Sequence, residues 1–170
     1  TCVEFGAWDG IHLSNTRRLI EERGAQAVLI EADPARYAEL EANNADDPNV
    51  RCLQRMIGLE GADALDAILR EAGCPAELDL MSIDIDGLDY LVWKRCNEHR
   101  ATIVVVEYNP TIPYEYLFYP PDNGNARTGA SLGALRDLGR QKGYTLVAAT
   151  DVNAIFVRDD RVVRLGPCDL

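Results

Sequence analysis

Basic residues are scarce in this sequence. Seventeen Lys and Arg stand against 28 Asp and Glu over 170 residues, a formal net charge of −11. No Lys/Arg run longer than a pair builds a positive patch. A surface of that sign repels phosphates, which argues against nucleic acid and against an anionic membrane as partners. No apolar run approaches the roughly 20 residues a membrane-crossing helix needs, and no leader pattern is present. The five cysteines, Cys2, Cys52, Cys74, Cys96 and Cys168, are odd in number and contain no C-x-x-C pair. A zinc site and a disulfide framework are therefore unsupported; small buried thiols in a reducing, cytoplasmic setting are expected. Histidine is limited to His12 and His99, and His99 lies in the polar stretch 94–100, which reads as surface. Internal repeats, linkers and low-complexity segments are also lacking.

What is there is a regular alternation of short apolar runs with helical stretches. The length bounds one domain, residues 1–170, able to bury a core without staples. The chain opens inside an apolar run, Cys2–Phe5, so a preceding N-terminal piece is expected. Strands are predicted over Cys2–Phe5, Ala27–Ile30, Val50–Leu53, Leu78–Ile83 and the β-branched Thr102–Val106. Helices are predicted over Leu13–Arg23 (Ser14 as cap, Gly24 as stop), from Asp33-Pro34 onward, over Ala62–Ala72, Leu88–Cys96 and Ser131–Gln141. Thr145–Ala149 and Ala154–Val157 form a final hairpin. Strand–helix alternation implies an α/β, Rossmann-like, mostly parallel sheet with helices on both faces, and the hairpin adds an antiparallel strand at or near one edge. Asn109–Gly129, rich in proline and tyrosine and containing Asp122-Asn123-Gly124, is the one long irregular segment, a length typical of functional loops.

In such a sheet ligands bind beyond the carboxyl ends of the strands. After the first strand comes Glu4-Phe5-Gly6-Ala7-Trp8-Asp9-Gly10. Glu31 closes the second strand, about twenty residues beyond Gly10, where a carboxylate accepts ribose hydroxyls. The turn is G-x-x-x-G with no third glycine, unlike the G-x-G-x-x-G dinucleotide fingerprint. Glu4 and Asp9 would repel a pyrophosphate but suit a cationic sulfonium, which favours S-adenosylmethionine over NAD. Glu4, Gly6, Ala7, Gly10, Glu31, Ala32 and Asp84 are the candidate cofactor-binding residues.

Four segments then carry a family resemblance: Val3 through Gly10, Leu29 through Pro34, Ser82 through Asp89, and Val104 through Glu107. In this order they resemble the FkbM-type methyltransferases. The resemblance implies the class I fold and methyl transfer from S-adenosylmethionine to oxygen on a sugar or secondary metabolite. It also implies that Glu4, Gly6 and Gly10 belong to the first motif, that Glu31 is the ribose-binding acid, and that Asp84, Asp86, Gly87 and Asp89 match the D-V-E-G-x-E motif. Two glutamates of that motif are aspartates here, and the first acid, commonly Asp, is Glu4.

Asp84, Asp86, Asp89 and Glu107 gather beyond the fourth and fifth strands, with Asn109 beside them. Like charges so arranged repel unless something positive sits between them. One expectation is Mg²⁺ held by Asp84, Asp86, Glu107 and Asn109, activating an acceptor hydroxyl. The other is metal-free, with Asp84 or Asp86 in the catalytic role and Asp86 as general base with a raised pKa. His12 is a further catalytic candidate. Tyr108, Tyr114, Tyr116, Phe118 and Tyr119 around the long loop suit an acceptor lid or simply pin the loop. The partner expected is a small hydroxyl-bearing molecule, with oligomeric state open. The competing reading is a non-catalytic S-adenosylmethionine-binding or scaffold domain.

Overall fold

A computed structural model describes residues 1–122 and 128–162; Asn123, Gly124 and Cys168 lie outside the described residues. The elements run β1 (Cys2–Phe5), α1 (Arg17–Arg23), β2 (Ala27–Glu31), α2 (Pro34–Asn44), β3 (Val50–Gln54), α3 (Leu65–Glu71), β4 (Glu77–Ile83), α4 (Asp89–Arg95), β5 (Arg100–Glu107), α5 (Leu132–Lys142), β6 (Tyr144–Ala149), β7 (Asn153–Arg158) and α6 (Asp159–Val162). One seven-stranded sheet has the order β3-β2-β1-β4-β5-β7-β6. The strands pair in parallel except where β7 meets β5 and β6. The antiparallel strand thus lies inside the edge strand β6, which the hairpin carries one place further out.

Side-chain alternation along the strands divides the core between the two faces. Val3, Phe5, Ile83 and Val106 pack with residues of α3, α4 and α5. Cys2, Leu29 and Leu80 pack with Ile20 and Leu40 of α1 and α2. Both faces of the central strands are covered, as their continuous apolar sequences require. From β1 the chain winds outward to β2 and β3, then returns to β4 and winds the other way. The reversal leaves a crevice over the ends of β1 and β4.

Three local expectations need correction. The first helix begins at Arg17, not Leu13. Leu13 is left-handed (φ 56°), and the Ser14 hydroxyl accepts from the Thr16 and Arg17 amides at 3.3 and 3.1 Å in the turn that leads into α1. In the third helical stretch Gly61–Asp63 is a 3₁₀ turn, and extended Ala64 separates it from α3. His99 is buried rather than superficial; its Nδ1 lies 2.9 Å from Asp66 Oδ1, which also accepts its amide at 3.1 Å. Among the described residues no helix is long and apolar enough to cross a membrane, and Cys2, Cys52, Cys74 and Cys96 are free thiols.

Candidate functional site

The two motif glycines solve two packing problems. Gly6 turns the chain out of β1 at φ +69°, and a Cβ there would stand 1.7 Å from the Asp84 carbonyl oxygen. Gly10, at φ +74°, would press a Cβ to 2.7 Å from Leu40 Cδ1 and 2.9 Å from Asn44 Nδ2 of α2. Left-handed backbone together with these contacts makes glycine obligatory at both places. Gly6 lies on the wall of the main cavity, whereas Gly10 is buried against α2 and does not line it. It supports the turn from beneath, against α2.

Glu4 is almost wholly buried. Its Oε1 accepts from the Asn15 amide at 2.7 Å, and its Oε2 accepts from the hydroxyls of Ser14 at 2.7 Å and Thr16 at 2.5 Å. Three donors to a buried carboxylate offset its desolvation, so Glu4 ties the entry of α1 to β1. Glu31 is organised in the same way. Oε1 accepts from the Ala32 and Asp33 amides, both at 2.8 Å, and Oε2 from the Trp8 amide at 2.9 Å. Oε2 retains a second lone pair. The Asp33 side chain accepts from Ala35 and Arg36 at the start of α2, so this end of β2 is fixed from both sides.

Beyond β4 the chain makes a strained turn. Asp86 is left-handed at φ 57° without being glycine, a conformation that costs about 1–2 kcal/mol. Buried Asp89, the first residue of α4, holds it there by accepting from the Ile85 amide at 2.7 Å and the Gly87 amide at 2.8 Å. Burial nevertheless pushes the Asp89 carboxyl up to about 6. Asp84 and Glu107 follow Ile83 and Val106, which are parallel register partners, so the two carboxyls emerge side by side on adjacent strands. Burial raises Glu107, reinforced by the charges of Asp84, Asp89 and Asp86; burial and the charge of Asp86 raise Asp84. Both carboxyls therefore hold their protons more tightly than free acids do, as crowded, half-buried acids should.

These strand ends surround a cavity of about 720 Å³. Glu4, Gly6, Ala7, Glu31, Ala32 and Asp84 all line it, as do Asp86 and Glu107. The expected cofactor residues other than Gly10 therefore converge on one space. His12 also lines it, but its Nδ1 lies 2.5 Å from Asp9 Oδ2. That hydrogen bond raises the His12 pKa and favours the imidazolium, the wrong protonation state for a base. Despite burial, the bonds from His12 and the Ile11 amide lower Asp9 to about 2. Asp86 is exposed, while the carboxyls that burial raises are Asp84, Asp89 and Glu107.

The expected metal ligands do not form a cation cage. Asn109 donates to the Thr128 carbonyl, and its Oδ1 accepts from both the amide and the hydroxyl of Thr111. Asp89 is engaged by backbone amides, and Asp86 is exposed. Among the described residues no group of three or more His, Cys, Asp or Glu side chains is arranged to hold a metal ion. Mg²⁺ at Asp84, Asp86, Glu107 and Asn109 therefore does not fit this arrangement.

Most aromatics of the long loop face away from the cavity. Tyr119 donates to Asp137 at 3.2 Å and packs edge-on against Tyr90, and Arg136 lies over the Tyr114 ring. They pin the loop to α4 and α5. Asn109, Pro110, Thr128 and Gly129 instead line a smaller cleft of about 210 Å³, which shares Asp86 and Glu107 with the main cavity. Sequence reasoning missed Arg36, whose guanidinium stacks 4.8 Å over the Trp8 ring. It also missed Arg55, Met56 and Ile57, which complete the cavity wall beyond β3; the strand-end rule would have found them if applied to β3 as well.

Neither a family model nor a curated protein matches the sequence. Solved structures do match in three dimensions. The mitomycin 7-O-methyltransferase aligns with a TM-score of 0.54 at 14% identity, over 92% of this chain and 48% of its own. An O-methyltransferase from neocarzinostatin biosynthesis, solved with S-adenosyl-L-homocysteine and 1,4-dihydroxy-2-naphthoic acid, aligns at 0.53 and 12% identity, over 92% and 48%. A putative methyltransferase from Escherichia coli aligns at 0.53 and 16% identity, over 93% and 76%. The chain has the Rossmann-like methyltransferase fold. It spans about half the length of the first two of these proteins.

Proposed function

We propose that this chain binds S-adenosylmethionine in the 720 Å³ cavity and transfers its methyl group to oxygen of a small hydroxyl-bearing molecule. The observation that carries this reading is the convergence of Glu4, Glu31 and Asp84, from three adjacent strand ends, on one cavity at the switch point of the sheet. The donor set fits the nucleoside: Glu31 Oε2 keeps a lone pair for a ribose hydroxyl, and Ala32, Met56 and Ile57 offer apolar walls to a base. Bound there, S-adenosylmethionine supplies an electrophilic methyl group on a sulfonium centre. The acceptor's place is the smaller cleft, because Asp86 and Glu107 form the wall common to both spaces. The O-methyltransferases that share the fold, and the resemblance of the four strand-end segments to FkbM-type enzymes, support the same assignment.

Calorimetric titration with S-adenosylhomocysteine tests it. Wild-type protein should bind, and Glu31→Gln should bind about tenfold or more weakly, because one charge-assisted hydrogen bond is worth roughly 1.5–3 kcal/mol. A correctly folded wild type that does not bind would sink the reading. Addition of a chelator should leave the isotherm unchanged.

A further inference from the structure

Among the described residues, Trp8, Leu13 and Asp86 are left-handed without being glycine, and all of them line the main cavity. The Trp8 amide donates to Glu31, and Asp86 is held by Asp89. Leu13 gains nothing from its own side chain, which is 91% exposed. It stands between two fixed points. Asp9 Oδ1 accepts from the Ile11 and His12 amides at 2.9 and 2.8 Å, and Glu4 accepts from the Ser14 hydroxyl and the Asn15 amide. A leucine there bears both the steric cost of a left-handed Cβ and the cost of apolar surface in water. Strain over-determined in this way clusters at ligand-binding sites. Met56, 71% exposed, and exposed Val152 add apolar surface to the same cavity wall.

Charge on the acceptor's side has one sign. Glu4, Asp84, Asp86 and Glu107 line the cavity beyond β1, β4 and β5, and the smaller cleft has Asp86 and Glu107 on its wall but no Lys, Arg or His among its described lining residues. The arginines of the main cavity come from its other end: Arg36 of α2 lies over Trp8, and Arg55 beyond β3 pairs with Glu71 at 2.5 Å. His12 is held by Asp9. An anionic group at the acceptor's place is therefore repelled. Val152 borders that place, because its carbonyl accepts at 2.8 Å from the amide of Tyr108, which lines the cleft.

We propose that the acceptor is an apolar alcohol or phenol free of phosphate and carboxylate, with its hydroxyl at the wall of Asp86 and Glu107 and its apolar body against Leu13 and Val152. This rests on the cofactor reading above. Such a body takes the Leu13 and Val152 side chains out of water, which a bare sugar does not, and it brings no charge to meet the acids.

Calorimetric titrations of the protein saturated with S-adenosylhomocysteine test the class with three probes. 2-Naphthol is the apolar phenol, 3-hydroxy-2-naphthoic acid adds a carboxylate to the same rings, and methyl glucoside offers hydroxyls without an apolar body. 2-Naphthol should bind about tenfold or more tightly than either of the others. Leu13→Asn tolerates the left-handed backbone, so its urea midpoint should stay level or rise, while its affinity for 2-naphthol falls about tenfold. Ile11 is exposed but lies off the cavity wall, and Ile11→Asn should leave that affinity unchanged. Equal binding of the carboxylate or the glucoside, undiminished 2-naphthol binding in Leu13→Asn, or a fall in that variant's urea midpoint would overturn the proposal, and binding of S-adenosylhomocysteine would leave the cofactor reading standing. Failure of the wild type to bind S-adenosylhomocysteine would overturn both.

Discussion

Asp89 shows how one residue serves the turn and carries a cost. Its two oxygens hold the Ile85 and Gly87 amides, which fixes left-handed Asp86 between them. Burial, acting against those bonds, lifts its carboxyl from 3.8 to about 6. An acid raised in this way binds its proton more tightly folded than unfolded, so its contribution to stability is full below 3.8 and is lost as pH climbs through about 6. Asp89→Asn stays neutral throughout and keeps one acceptor oxygen. Urea unfolding of the two proteins should therefore show their stability difference moving by about 3 kcal/mol in the variant's favour across that window; a flat difference would mean the carboxyl is not buried as described. The D-x-D-G-x-D pattern was legible in the sequence. Which acid holds the turn and which is exposed was not, because burial and amide direction are set by chain segments far apart in sequence.

At the scale of elements, propensity and packing oppose each other in α5. Gly139 lies mid-helix, where alanine would be intrinsically better by about 1 kcal/mol. A Cβ there would meet Phe156 Cε1 of β7 at 2.6 Å, and Phe156 is itself held by Trp93 with ring centroids 4.8 Å apart. Overpacking of a locked aromatic costs about 1–3 kcal/mol, so packing wins. Gly139→Ala should lower the stability read from the urea midpoint by up to about 2 kcal/mol; a gain would show that Phe156 relaxes. Helix ends were readable where a local cap decides them, as at Asp33-Pro34 and at left-handed Gly24. The start of α1 was not, because Glu4 captures Ser14, Asn15 and Thr16 and delays the first helical turn to Arg17.

For the whole molecule, the sheet order implies a gradient of protection. Amides of β1 and β4 sit between two partner strands, with helices on both faces. In hydrogen exchange they should open last, near the global unfolding free energy, while amides of residues 109–122 exchange orders of magnitude faster. Equal protection in the two regions would contradict the layering. The sequence by itself determined the alternation of strands and helices, the mostly parallel sheet, the final hairpin and the strand-end positions of Glu4, Glu31, Asp84 and Glu107. Those follow from local periodicity and from short-range turn chemistry, which a linear chain displays openly. Tertiary structure alone decided that β7 is inserted between β5 and β6, that Gly10 packs under α2, that His99 is buried on Asp66, and that burial raises the carboxyls of Asp84 and Glu107. Each of these depends on which distant side chains meet, and on how much water remains between them once the sheet has closed.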